Sequence, residues 1–320
     1  MKAIKKYLDI ILNMIYGCII GVANIIPGVS GGTMAVMLNI YDKLIDSFTG
    51  IRRHFKQSMK FLIPIVLGAG AGIVLFSYLI KYLITYHPLP TCFFFIGLII
   101  GSLPLVFKKA VSTGFKWYAL IPMVVFLASM TALAFVDTSS KGAVMELNVA
   151  NWFYFFISAT VAAMCMIIPG VSGSMILMVF GVYSTVIGAI SGLTKNFAGS
   201  CMTLIPVGLG VIVGIVFGAK LIDMCIKKFP QMTYFAIIGL MVGSPLVIFL
   251  KFKAEDHKLV QEAVEKGEQF ISNFVASPLN ITVSVIVFIV GMLIALFFGS
   301  DKLKEKLKHK NEQKNKAAER

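Results

Sequence analysis

The sequence predicts an all-α, polytopic membrane protein made of two inverted-topology repeats, each interrupted by a Pro/Gly-broken or re-entrant helix. Three observations predict it. First, 58% of the 320 residues are hydrophobic and only 14% are charged, with a mean hydropathy of +0.88. A soluble domain of this size has no use for so much apolar surface. Second, the chain overlays itself after a shift of 142 residues, and a long-period repeat is the signature of a duplicated unit. Third, equivalent loops of the two copies differ in charge, as expected of loops facing opposite sides of a bilayer.

Taken in order, apolar stretches suited to crossing or entering a membrane fall at 7–23, 61–84, 92–107, 118–136, 152–168, 202–226, 233–250 and 279–299. A full crossing needs roughly 20 apolar residues. The first stretch runs on toward Asn24 without a small-residue cleavage site, so it reads as a membrane helix rather than a removed signal. Two further stretches, 33–48 and 175–192, follow Pro/Gly-rich breaks. Asp42, Lys43 and Asp46 interrupt the first of them, which predicts a half-helix followed by an amphipathic turn. The segment 251–278 is polar, and the tail from Asp301 to Arg320 is lysine-rich. These divide the chain into a first membrane repeat (1–136), an extracellular linker (137–151), a second membrane repeat (152–299) and a basic cytoplasmic tail (300–320).

The repeat is sharp. Ile25-Ile26-Pro27-Gly28-Val29-Ser30-Gly31 matches Ile167-Ile168-Pro169-Gly170-Val171-Ser172-Gly173, and the same shift pairs Tyr41 with Tyr183, Pro64 with Pro206, Gly68 with Gly210, Pro88 with Pro230 and Gly97 with Gly239. The copies differ at the edges of the block, with Met166 in place of Asn24 and Ser174 in place of Gly32. Arg52, Arg53, Lys56 and Lys60 form a basic stretch whose counterpart holds only Lys195, whereas Lys227-Lys228 aligns with neutral Thr85-Tyr86. With Lys2, Lys5 and Lys6 inside and five crossings per half, all basic loops and both termini fall in the cytoplasm. The odd number of crossings inverts the second half.

The formal net charge of +14 belongs to these loops and tails and does not indicate nucleic acid. The five cysteines, Cys18, Cys92, Cys165, Cys201 and Cys225, lie in or beside apolar segments without metal-type spacing and read as small apolar residues. Trp117 and Trp152 each begin a helix, as interfacial aromatics do. His54 and His87 lie in loop-like stretches with no partner at useful spacing.

The chemistry concentrates in the duplicated block. Proline removes a backbone donor and glycine loosens a helix, so an apolar helix must break there. A broken backbone at membrane depth is tolerated only where it is buried in protein or lines a wet cavity. Paired breaks at matching places in two halves point to a transporter's central site. The helix restarting after each break offers free N–H groups to an anion. The candidate substrate-binding residues are therefore Asn24, Pro27, Gly28, Ser30, Gly31, Gly32 and Thr33 in the first copy, with Pro169, Gly170, Ser172, Gly173 and Ser174 in the second. The competing reading is that these glycines only let helices approach closely. Arg52 and Arg53 follow the first broken segment and suit phosphate. Lys220 lies within an apolar run and is a candidate ligand by default; pairing with Asp223, on the same helical face, is its structural alternative. Lys81 reads as a snorkelling residue.

No Glu occurs before Glu146, and no phosphate-binding loop or zinc-protease motif is present. Hydrolysis would need a base or a metal. The expectation is a transporter rather than an enzyme, with no catalytic residues, cofactor or metal.

The blocks NIIPGVSGGT (24–33) and IIPGVSGS (167–174), with LGAGAGI (67–73) and IGLIIGSLP (96–104) downstream, resemble the bacterial membrane proteins called the DUF368 family, described as polyprenyl-phosphate transporters. The resemblance runs from about residue 10 to 299. It implies a plasma-membrane flippase that returns undecaprenyl phosphate from the outer to the inner leaflet for reuse in cell-wall polymer synthesis. Its partners would then be a polyprenyl phosphate lipid and the bilayer, not nucleic acid. Read without the resemblance, the same residues also fit a channel or carrier for a small inorganic anion and, less well, a membrane-embedded lipid phosphatase.

Overall fold

The computed structural model describes residues 2–25, 30–112, 114–135, 148–192, 196–265 and 278–299. Among them every regular element is helical: α1 (Lys2–Ile25), α2 (Gly31–Met37), α3 (Tyr41–Thr49), α4 (Phe55–Tyr86), α5 (Pro88–Ala110), α6 (Leu120–Ala134, entered through a 3-10 turn at Trp117–Ala119), α7 (Val149–Ile167), α8 (Gly173–Val179), α9 (Tyr183–Gly192), α10 (Phe197–Lys228), α11 (Pro230–Glu265) and α12 (Pro278–Gly299). Among the described residues seven helices are long and apolar enough to cross a membrane: α1, α4, α5, α7, α10, α11 and α12. The stretch Trp117–Leu133 is shorter, and α8 with α9 is a pair bent by 115°.

The duplication reappears in the helix ends. Shifting α2 and α4 by 142 residues lands on α8 and α10 end for end. The stops have local causes. The turn after α2 places Asn39 at φ +55, and the turn after α8 places its repeat mate Gly181 at φ +70. Asn and Gly are the residues that enter this left-handed region most readily. The closing bonds repeat too, with Ile40 N–H donating to Ala35 and Val182 N–H to Leu177, both at 2.9 Å; this is a Schellman-type ending. The starts are equally local. Pro88 opens α5, where its missing N–H costs nothing. Asn196 caps α10 by accepting from Gly199 N–H at 3.1 Å. The sequence places α4 at 61–84, but the helix is longer, beginning at Phe55 and taking in Lys56 and Lys60. Likewise α11 continues through the polar residues 251–265; 266–277, the linker core at 136–147 and the tail 300–320 lie outside the described residues.

Small residues fix the packing. In α4 a Cβ on Gly68 would sit 2.0 Å from the carbonyl oxygen of Met14 in α1, and in α10 one on its mate Gly210 would sit 2.4 Å from that of Phe156 in α7. Each contact advances in step along both helices, so α1 with α4, and α7 with α10, are parallel pairs. The other main pairs cross between halves. Gly97 of α5 packs on the Phe288 carbonyl of α12, and its mate Gly239 of α11 on the Met123 carbonyl of α6, each leaving 2.2 Å for an absent Cβ. The last helix of each repeat thus packs on the fifth helix of the other. Helices α5 and α11 pack on each other in opposite senses: Phe107 meets Phe235, ring centroids 6.1 Å apart, and Leu105 and Val106 lie beside Ile237. The largest apolar core joins residues of α1–α5, α10, α11 and α12.

Candidate functional site

The two breaks meet at the centre. Gly170 N–H donates to Thr33 Oγ1 at 2.8 Å, linking residues 137 positions apart across the two copies. A Cβ on Gly32 would sit 2.9 Å from the Ile167 carbonyl oxygen. Ser30, Thr33 and Ser172 are 2%, 1% and 5% exposed, and Pro169 is buried. Gly170 sits at φ +94 against the backbone of Leu240, about halfway along the membrane-crossing part of α11 (Pro230–Leu250). The meeting point is therefore near the depth where paired half-helices form transporter sites. Pro27 and Gly28 lie outside the described residues.

The two copies are satisfied differently. At the first break Asn24 Oδ1 accepts from Gly31 N–H at 3.1 Å, and Ser30 Oγ accepts from Gly32 N–H at 3.2 Å. Two of the leading donors of α2 are thus taken by protein. At the second break no side chain caps α8. Ser172 and Ser174 share a hydroxyl–hydroxyl bond of 2.8 Å, and Met166, standing where Asn24 stands in the first copy, has no oxygen to offer. The sequence predicted equal anion sites at the two helix starts, but the first is largely occupied from within.

Next to the breaks lies an apolar cavity of about 690 Å³ between α1, α2, α4, α5 and α12. Ala23 and Met34, neighbours of Asn24 and Thr33, line its inner end. Phe76, Leu79 and Val283 also line it and are 38%, 48% and 38% exposed, so the cavity opens sideways between α4 and α12. Its walls carry almost no polar group. No residue spacing announced it, because α12 comes from the far end of the chain.

The charged candidates lie elsewhere. Arg52 and Arg53 are exposed in the turn after α3, two short helices along the chain from the first break. Lys220 calls for a correction: it is exposed on the outer side of α10, not buried in the interior. Its expected partner Asp223 pairs instead with Lys227 at 2.8 Å. An acid four residues before a base is the favoured arrangement on a helix. The α10 helix spans about 48 Å at 1.5 Å per residue, against a hydrocarbon core of about 30 Å. Lys220, two turns from its C-terminus, can therefore reach the interface.

Sequence reasoning missed a second polar cluster. Lys109 of α5 forms an ion pair with Asp42 of α3, and Tyr234 of α11 donates its hydroxyl to Asp42 at 3.4 Å. Lys109 Nζ also lies 5.9 Å from the Tyr234 ring centre. Asp46 and Arg53 are near enough to act on the charge of Lys227. This cluster gathers the basic ends of α5 and α10 at one end of the bundle. The one hint in the sequence was an acid, Asp42, aligned with Ser184 in the repeat.

A family model described as undecaprenyl phosphate translocase-like matches residues 20–270. The chain belongs to this family. The matched span of this undecaprenyl phosphate translocase-like chain covers both breaks and ends before α12, so one wall of the apolar cavity lies beyond it. Two curated relatives agree. The chain is 35% identical over 243 residues to the polyprenyl-phosphate transporter of Staphylococcus aureus, covering 74% of this chain and 86% of the relative. It is 27% identical over 255 residues to the polyprenyl-phosphate transporter of Vibrio cholerae, covering 75% and 77%. No solved structure matches significantly.

Proposed function

We propose that the protein carries polyprenyl phosphate, undecaprenyl phosphate in particular, from the outer to the inner leaflet of the plasma membrane for reuse in cell-wall polymer synthesis. Family membership and the names of both relatives support the cargo. The observation that carries the reading is the side-opening apolar cavity ending beside the buried breaks. A lipid phosphate has the same two-part character, a hydrocarbon tail and an anionic head. The cavity suits the tail, and lipid can enter it without crossing water.

In this reading the head group goes to the breaks. The uncapped start of α8, with Gly173 and the Ser172 and Ser174 hydroxyls, is the more available side; Ser30 and Thr33 face it from the first copy. Gly32 belongs to the same wall, and Pro169 keeps the second helix broken; Pro27 and Gly28 stay candidates on the sequence motif alone. Arg52 and Arg53 would receive the phosphate at the cytoplasmic mouth, where a guanidinium matches phosphate geometry. The gathering of Arg53, Lys109 and Lys227 at one end of the bundle supports a cytoplasmic N-terminus and tail. The opposed senses of α5 and α11 support repeats related by inversion. Transport, not hydrolysis, is the activity this reading assigns.

Leaflet-resolved measurement of undecaprenyl phosphate in bacteria with and without the protein tests the proposal. Loss of the protein should leave more of the lipid in the outer leaflet. An unchanged distribution, together with chloride flux through the purified protein in vesicles, would favour a small-anion carrier; release of inorganic phosphate would favour a phosphatase.

A further inference from the structure

The two broken segments have the same sequence plan but occupy different places. α3 packs on α10 of the other half more extensively than on its own α4, while α2 packs on α1 and α5. Their mates stay closer to home. α9 packs on α8 and α10, and its Val186, with Val182 just before it, joins Phe155 of α7 and Val207 of α10 in a separate small core. The repeat equivalent of the α3–α10 contact would be α9 on α4, and among the described residues no such close packing is present. Side chains record the difference: Ile45 of α3 is 2% exposed, whereas its mate Ile187 is 43% exposed. Ile45 shares a core with Ala219 and Ile222 of α10. The mate of Ile222 is Ile80 of α4, and Ile80 lines the apolar cavity. The cavity is therefore open where α9 is not.

We infer that α3 and α9 are the two gates of an alternating pathway, with the inner gate α3 shut and the outer gate α9 open in this structure, and with Asp42 as the latch of α3. This rests on the transport reading. Asp42 ties α3 to both α5 and α11 through Lys109 and Tyr234, whereas α9 carries Ser184 at the equivalent position and the mate of Tyr234 is Cys92. The outer gate thus lacks the ionic tie, which sets the resting preference. Exchange between the two arrangements is cheap for a membrane protein. Ile187 and Ile190 facing lipid cost little, because lipid tails are as apolar as the protein core. The Asp42–Lys109 pair is partly exposed, with side chains 49% and 29% accessible, and such ties are weak enough to break.

Cysteine pairs test this in the full chain reconstituted in vesicles, with cleavage of the 136–147 linker to reveal cross-links. Asp46 is within electrostatic reach of Lys227, on the packed helices α3 and α10, and the repeat mates of these residues are Gly188 and Thr85; a thiol-to-thiol linker bridges each pair. A Cβ on Gly188 meets nothing within 4 Å, so Gly188→Cys should be tolerated. The pair Gly188→Cys with Thr85→Cys should cross-link in a minority of molecules, when α9 closes on α4. Asp46→Cys with Lys227→Cys should cross-link in the majority. Adding Asp42→Asn should raise the first yield by roughly two- to five-fold, the range expected for losing an exposed ion pair, and lower the second. The inference is overturned if the 85–188 pair never cross-links while the 46–227 pair does, or if Asp42→Asn moves neither yield. If both yields respond but no polyprenyl phosphate moves in the same vesicles, the gates stand and the cargo reading fails.

Discussion

The first break and the second start from nearly the same ten residues and end with different hydrogen-bond partners. Around α2, Asn24 and Ser30 hold the leading amides, and Thr33 reaches across to Gly170. Around α8, Met166, Ser174 and Met175 stand at the positions of Asn24, Gly32 and Thr33, and no side chain caps the helix. The backbone plan survived duplication while the side chains that satisfy it diverged. A duplicated motif thus does not guarantee a duplicated site. In one copy side chains of the protein accept from the leading amides; in the other no side chain caps the helix.

Four sets of substitutions break or sharpen this comparison. The largest effect is expected at Gly170. A Cβ there would meet the Leu240 backbone at 2.8 Å, and the residue sits at φ +94; the left-handed strain alone costs about 1–2 kcal/mol. Gly170→Ala should greatly lower the melting temperature in detergent. Gly173→Ala, whose nearest neighbours lie at 3.3 Å, should be much milder. Equal melting shifts in the two variants would contradict the geometry described for the second break.

Thr33→Val comes next. It removes the acceptor of the buried Gly170 N–H, and an unpaired buried donor costs about 1–3 kcal/mol. Thermal melting should fall accordingly, whereas Ser174→Ala, which breaks a bond between two partly buried hydroxyls, should cost less.

Swapping the caps separates stability from binding. Asn24→Met gives the first break the second copy's residue and should cost about 1 kcal/mol, the usual worth of a helix cap, with little change in head-group affinity. The reverse change, Met166→Asn, should occupy the start of α8 and weaken binding of polyprenyl phosphate measured by titration calorimetry in detergent. Unaltered affinity in Met166→Asn would remove α8 from the proposed head-group site.

The smallest effect belongs to Lys220→Met. Lys220 is exposed and Asp223 is already paired with Lys227, so melting temperature and transport should both stay close to those of the unaltered protein. A marked loss of transport would return Lys220 to the pathway.

Much of the fold was legible because its causes are local. Pro and Gly punctuate the chain, and apolar length marks the spans, so the two breaks and a half-helix within 33–48 could be read directly; the bend between α8 and α9 could not, because 175–192 reads as one apolar stretch. Helical spacing allows Asp223 to pair with either Lys220 or Lys227, so the local rule alone did not choose between them. The candidate site was legible only as two separate motifs, because no local rule states that Thr33 meets Gly170.

The sequence by itself determined the membrane class, the duplication, the breaks and the positions of the membrane helices, through hydropathy and backbone chemistry that act within a few residues. Only the tertiary structure decided that each repeat packs its last helix on the other's fifth. The same holds for the crossing of α3 to α10, the pairing of Asp42 with Lys109 67 residues away, and the opening of a cavity between α4 and α12. These depend on which glycine-lined faces approach and which side chains then come within hydrogen-bonding distance. That is a competition among surfaces far apart in the chain, and no local pattern records its outcome.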